Sequence, residues 1–293
     1  MEKYTRMSPD WERWLDGCIL KGCISSDIVT AMVAANYDQQ YAERVTAERR
    51  QVLRQATPPA SDVYIQVTPS EEPYRYGTPR FQQQGNIIRT SDRDVRVSMR
   101  IGQPVVAVLD NLLTDEECDG IIALARGQLQ PSATVDPFTG ENQVKDHRTS
   151  QGTFLKSEGN ELVQRVERRI AEVMNVPVSH GEALHVLHYQ VGAEYRPHFD
   201  YFDPANTGFH ATLQRGGQRI STLIVYLNDV EDAGDTIFPK IHLSVVPKKG
   251  AAVYFEYVNE SGQLDELTLH GGAPVQAGEK WVATKWMRLG EFK

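Results

Sequence analysis

His198 and Asp200 stand two residues apart in the run Tyr195-Arg196-Pro197-His198-Phe199-Asp200-Tyr201, and a third side chain able to bind a metal, His270, follows far downstream. Lys280 comes after it, within Gly278-Glu279-Lys280-Trp281. Two imidazoles and one carboxylate can occupy one face of an octahedral iron(II) and leave three positions open, the donor set that suits non-haem iron oxygen chemistry. A buried lysine beside such a site needs an anion, because an unpaired ammonium in a core is costly or loses its proton. An acidic co-substrate would satisfy it. Taken alone, a His-x-Asp pair recurs by chance at strand ends, and a lysine can sit at a rim with only its stem buried. The four residues together carry more weight than any one of them.

Such residues must be brought together by the elements that bear them. On a strand, residues i and i+2 share a side, so His198 and Asp200 can reach one centre while Phe199 points away. The run Glu266 to His270 is strand-like and ends at Gly271-Gly272, where the absence of side chains permits a close turn. The next strand carries Lys280 and alternates into Val282, Thr284 and Trp286. As the antiparallel neighbour of the His270 strand, it is expected to bring Lys280 into the same cavity. His185 and His188, three apart, face opposite sides of a strand and are not counted as ligands.

Elsewhere, short strands with turn signals between them recur after Pro177: Ala183 to Tyr189, Ile220 to Leu227, Ile241 to Val246, Ala251 to Tyr257 and Trp281 to Leu289. Two helices precede them. Thr114-Asp115-Glu116-Glu117 is a capping box ahead of Ile121, Ile122 and Ala125, and Glu161 to Met174 places Leu162, Val163, Val166, Ile170 and Val173 at helical spacing. Helices followed by many closely spaced strands predict an α+β fold, a jelly roll with supporting helices.

Residues 1–56 read as a small helical N-terminal region. Ser8-Pro9-Asp10 starts one helix with Trp11, Trp14, Leu15 and Cys18 on a face; Ser26-Asp27 starts a second with Ile28, Val29, Met32 and Val33. The third, Tyr41 to Gln55, has little apolar face of its own, so these helices are expected to need the downstream domain or another copy to pack on. Residues 57–96, with Pro58, Pro59, Pro69, Pro73 and Pro79, read as a linker or extended segment, and residues 97–293 as the catalytic domain.

With 40% hydrophobic and 24% charged residues, the 293-residue chain has the composition of an ordinary soluble globular protein. Its net charge of -8 argues against a general binder of nucleic acid or anionic membrane. No apolar stretch approaches the ~20 residues of a membrane span, and the N-terminus has no signal-peptide core. Three cysteines, Cys18, Cys23 and Cys118, make no disulfide framework, so a cytoplasmic location is expected. Cys18 and Cys23 offer half a zinc site without a second ligand pair nearby; buried thiols are the simpler reading.

Over about Val97 to Leu289 the chain resembles the prolyl 4-hydroxylases of the Fe(II)/2-oxoglutarate dioxygenase superfamily, closer to their bacterial, algal and collagen-type branch than to the oxygen-sensing one. The matching stretches are His188-Tyr189-Gln190-Val191-Gly192 through Tyr201, Gly216-Gly217-Gln218-Arg219, Leu227-Asn228-Asp229-Val230, Gly234 to Pro239, Lys249-Gly250-Ala251-Ala252, and His270 through Trp286. Several motifs in one order are far more specific than any single one.

The resemblance implies a double-stranded β-helix, cupin-like, with Fe(II) on His198, Asp200 and His270, and with 2-oxoglutarate and O2 as co-substrates. Lys280 would hold the co-acid's far carboxylate, where the oxygen-sensing branch uses arginine. A lysine is a point cation, so a partner hydroxyl is expected to share that carboxylate; Tyr189 is the first candidate and Thr236 the second. Ascorbate is a further candidate cofactor. Arg148, Ser150, Glu182 and Arg219 match positions serving the peptide side, and Tyr195 and Trp286 would line the cavity, each with a structural role as the alternative. Asp235 stands where the family usually has glutamate, and Asp203 to Arg215 occupies the place of a mobile loop over the peptide channel.

The expected activity is hydroxylation of a C–H bond, most simply peptidyl-proline 4-hydroxylation of a peptide or protein, with succinate and CO2 as co-products. Two alternatives stand beside it: the same chemistry on a free amino acid or small metabolite, or a cupin-like metal-binding sensor or interaction module without turnover. Nothing in the sequence defines an oligomeric state.

Overall fold

The computed structural model describes residues 3–20, 25–55, 73–81, 84–135, 142–144 and 148–293. It divides into two compact units, one built on Met1–Tyr64 and one holding Ile65–Val135 and Glu141–Lys293.

The first unit consists of α1 (Pro9–Leu20), α2 (Ser25–Ala34) and α3 (Gln39–Gln55). Ser8 and Asp38 accept hydrogen bonds from the first-turn N–H groups of Trp11 and Tyr41, which starts α1 and α3. These helices do not lack a partner, contrary to expectation. Leu15, Ile28, Met32, Tyr37, Ala42 and Val45 form a core of their own. Small residues on α3 suffice because they let the larger side chains of α1 and α2 close over them. A bidentate ion pair from Arg49 to Asp16 ties α3 to α1. Cys18 is half-buried and in no disulfide; Cys23 lies outside the described residues.

In the second unit, β1 (Ile87–Arg89), β2 (Asp94–Gly102) and β3 (Val105–Asp110) form a meander ahead of α4 (Asp115–Arg126). Then come β4 (Gln130–Pro131), β5 (Ala133–Val135), β6 (Asn142–Val144), β7 (Gln151–Leu155) and α5 (Glu161–Met174). Next are β8 (Leu184–Tyr189), β9 (Tyr195–His198), the short α6 (His210–Gln214) and β10 (Arg219–Tyr226). The chain continues with β11 (Asp232–Ala233), β12 (Thr236–Phe238), β13 (Leu243–Val245), β14 (Ala252–Glu256), β15 (His270–Gly272), β16 (Val275–Ala277) and β17 (Lys280–Arg288).

The larger sheet runs β1-β2-β3-β14-β10-β17-β8-β7-β4 and a smaller one runs β13-β12-β15-β9. Side chains of both line one cavity between them, which is the double-stranded β-helix, or jelly roll, within an α+β chain. The outer face of the larger sheet is covered by α4 and α5. Thr114 closes the predicted capping box with Glu117, and α4 buries Cys118, Ile121 and Ala125. Asn160 caps α5, which buries Val163, Val166, Ile170 and Val173. With helices on one side and the cavity on the other, β17 is buried along its whole length.

Two expectations are corrected here. A domain start at residue 97 falls inside β2, and the presumed linker already belongs to the second unit at residue 80: Arg80 donates from its backbone and guanidinium to Glu256, and Phe81 packs 5.0 Å from Tyr254. Prolines mark non-helical backbone, but they do not say whether an extended segment is anchored. The run Glu266 to His270 is not a strand. Asp265 caps a 3-10 turn over Glu266–Thr268, and His270 opens β15 where it had been expected to close a strand.

Candidate active site

β9 and β15 pair antiparallel with His198 directly opposite His270. This register brings the two imidazoles together, their ring centroids 4.5 Å apart and their planes tilted by 54°. Gly271 makes the approach possible: a Cβ there would lie 2.8 Å from the carbonyl oxygen of Tyr195. Asp200 lies just past the end of β9 and not on the strand, yet it turns to the same side. His198 Nε2 is 3.6 Å from Asp200 Oδ1 and His270 Nε2 is 3.5 Å from Oδ2. Donor atoms of the three lie within 4.8 Å of one another, the one such metal-suited cluster among the described residues.

Each imidazole is oriented in the same way. Nδ1 of His198 is 2.9 Å from the Arg196 carbonyl, and Nδ1 of His270 is 2.9 Å from the Thr268 carbonyl. A carbonyl only accepts, so each Nδ1 carries the hydrogen and each Nε2 lone pair faces the centre. Tyr195 stacks on the His198 ring at 3.6 Å and Phe255 packs on His270 at 4.5 Å, which fixes the ring planes. Burial, helped by the neighbouring His270, pushes His198 down to about 4. Burial would raise Asp200, but the two histidines outweigh it and hold its carboxyl well below the usual range. Neutral imidazoles and an ionised carboxylate are the forms that bind a metal.

Lys280 reaches the cavity by a different route from the one expected. β17 is not a neighbour of β15; it lies in the larger sheet between β10 and β8, with Lys280 opposite Tyr189. The lysine therefore faces the triad from the opposing sheet. A residue close in sequence can cross to the other sheet because β16 and its turn intervene. Lys280 is 3% exposed, and among the described residues no acidic side chain lies within ion-pair distance of it. Burial lowers it to about 8, with only the charge of Asp235 opposing. Its Nζ lies 5.4 Å from the Tyr189 ring and 6.0 Å from that of Tyr226. Tyr226 donates to Thr236 at 2.8 Å, which leaves the Thr236 hydroxyl hydrogen to donate elsewhere. A buried cation without a counterion, beside hydroxyls and across from two histidines and a carboxylate, fits an iron with a bound dicarboxylate.

Arabidopsis thaliana Prolyl 4-hydroxylase 5 is 43% identical over 211 residues, 65% of this chain and 70% of that protein. Prolyl 4-hydroxylase 1 of the same plant is 40% identical over 222 residues, 68% of this chain and 76% of its relative. This chain belongs to the prolyl 4-hydroxylase family. Residues 184–288 also match the 2OG-Fe(II) oxygenase superfamily, a stretch that holds His198, Asp200, His270 and Lys280. Among solved structures, a viral collagen prolyl hydroxylase from Paramecium Bursaria Chlorella virus-1, as its 2OG complex, is 28% identical, covering 62% of this chain and 95% of that one with a TM-score of 0.49.

As a member of the prolyl 4-hydroxylase family, the chain is a 2-oxoglutarate-dependent dioxygenase, an oxidoreductase that uses Fe(II) and O2. Leu187, Ile224 and Val282 give its cavity an apolar wall, and Arg148, Tyr195 and Trp286 line it as well. The Arg148 guanidinium lies 4.6 Å over the Tyr195 ring. Ser150 sits behind this wall, taking a hydrogen bond from Arg148 and donating one to Ser132. Glu182 and Arg219 do not line the cavity. Both Glu182 oxygens accept from Arg219, at 2.6 and 2.8 Å, and Arg288 adds a third bond. Arg219 in turn lies 3.9 Å over Trp286 and donates to the Asp200 backbone carbonyl. The structure thus places Glu182 and Arg219 behind the site, where they brace Trp286 and Asp200. Asp203 to Arg215 contains α6.

The sequence reading missed Leu187 and Ile224, which line the cavity, and Thr222, Tyr226 and Tyr257, which bond to its residues or to one another behind it. Strand alternation from Ile220 puts Thr222, Ile224 and Tyr226 on one side of β10, and that period would have found three of them.

Proposed function

We infer that the chain hydroxylates prolyl residues of a peptide or protein. The observation that carries this reading is the pairing of His198, Asp200 and His270 with Lys280 across one cavity, in a chain 43% identical to a protein named prolyl 4-hydroxylase. Iron(II) on the three ligands supplies dioxygen activation coupled to conversion of 2-oxoglutarate to succinate and CO2. Lys280 pairs with the distal carboxylate of the co-acid, and the Thr236 hydroxyl shares that charge. Tyr189 packs beside the lysine. Leu187, Ile224 and Val282 exclude water from the reacting region. Arg148, Tyr195 and Trp286 orient the substrate at the cavity wall. Ascorbate as reductant belongs to the same proposal, as does a cytoplasmic setting, which suits Cys18 and Cys118 in their reduced form, outside any disulfide.

The test is incubation with Fe(II), 2-oxoglutarate and a panel of proline-containing peptides, read as one added oxygen per product and stoichiometric succinate. His198→Ala should lose metal binding and product together. Oxidation of free proline or another small metabolite, with every peptide unchanged, would defeat the peptide reading.

A further inference from the structure

Asp200 is held by more than its place after β9. Its Oδ2 accepts a hydrogen bond from Thr222 Oγ1 at 2.7 Å, and that hydroxyl lies 3.0 Å from Tyr257 Oη. Thr222 and Tyr257 are both 0% exposed. A hydroxyl has a single hydrogen, and an ionised carboxylate can only accept. Thr222 therefore donates to Asp200, and Tyr257 must donate to Thr222. The direction of the chain, Tyr257 to Thr222 to Asp200, follows from the donor inventory alone. It joins β10, the residue after β14 and the second residue beyond β9 at one carboxylate. Valine at position 222 would have the same shape and bring no buried hydroxyl to satisfy, so packing does not account for the threonine.

We propose that Tyr257 and Thr222 are positioning residues for iron ligation, pinning Oδ2 so that Asp200 meets the metal through one oxygen. Carboxylates bind cations through one oxygen or two. If Oδ2 were released, Asp200 would be free to turn both oxygens to the metal and take a position that 2-oxoglutarate or O2 needs. A polarised chain of two hydroxyls holds the carboxylate more firmly than one donor alone. This inference rests on the iron site described above.

The experiment uses the whole 293-residue chain and Co(II) as the spectroscopic probe, with Fe(II) affinity measured alongside. Thr222→Val should weaken binding of both metals about 10- to 100-fold, alter the visible spectrum of the Co(II) form, and weaken 2-oxoglutarate binding to it. Tyr257→Phe, which leaves Thr222 able to donate but unbraced, should weaken metal binding about 3- to 10-fold. Thr222→Ser should restore affinity and spectrum. Thermal unfolding of each metal-free variant reports whether the fold is intact; should Thr222→Val not fold, Tyr257→Phe and Thr222→Ser decide. Wild-type affinity and spectrum in Tyr257→Phe, or a serine variant as defective as the valine one, would overturn the proposal. Failure of the wild-type protein itself to bind Co(II) would instead defeat the iron-site reading.

Discussion

Lys280 is an ammonium enclosed by aromatic rings and strand backbone, answered only by the distant charge of Asp235. Because burial brings it to about 8, it is charged below that pH and neutral above it. The co-acid needs the charged form. The KM for 2-oxoglutarate should therefore be flat at lower pH and climb above pH 8, towards about tenfold per pH unit. Lys280→Ala should have a raised KM at every pH and lose that climb. A wild-type KM unchanged up to about pH 9.5 would contradict the assignment. At this scale much was legible, because His198, Asp200, His270 and Lys280 are types whose chemistry is narrow. Thr222 and Tyr226 were not, since threonine and tyrosine in an apolar strand read first as ordinary strand formers.

Between elements, Arg169 is the joint that holds the helical layer together. From α5 it donates to Glu117 on α4 at 2.6 and 2.9 Å, to Asp92 at 2.9 and 2.7 Å, and to the Leu112 carbonyl at 2.8 Å. Removing one partner from a buried pair leaves an uncompensated charge, so Arg169→Gln should cost about 3–5 kcal/mol in thermal or denaturant unfolding. Burial favours protonation of Glu117, but bonds from Arg169, the Thr114 backbone and Arg165 prevail and hold it at about 2. A depressed carboxylate contributes stability above its unfolded pKa and loses it as pH falls through the folded value. The gap between wild type and Arg169→Gln should accordingly narrow from about pH 4.5 down to pH 2; a gap that widened there would refute this account. Helices α4 and α5 were legible through caps and a 3.6-residue period, both local signals. The pairing of β17 was not: strand neighbours are chosen over long separations, and nearness in sequence misassigned Lys280 to the His270 sheet.

For the molecule as a whole, each unit encloses its own core. Deleting residues 1–64 should leave conversion of 2-oxoglutarate to succinate within about twofold of the full chain, as expected of a separable domain. Extending the deletion through residue 86 removes Arg80 and Phe81 from Glu256 and Tyr254, and should lower both stability and iron binding. Equal behaviour of the two truncations would show that the anchored segment is dispensable. The proline-rich composition hid that anchorage, since an extended chain on a sheet and one in water have the same residues. β17 runs through the middle of this design. Lys280, Val282, Thr284 and Trp286 face the cavity, while Trp281 stacks on His188 and Lys285 pairs with Glu167 on α5. Alternate letters of one nine-residue word thus answer to catalysis and to folding, and none is free to drift. Evolution or a protein engineer seeking a new substrate has more latitude at Arg148, which lines the cavity from outside β17, so that a change of shape there leaves the spine of the molecule intact.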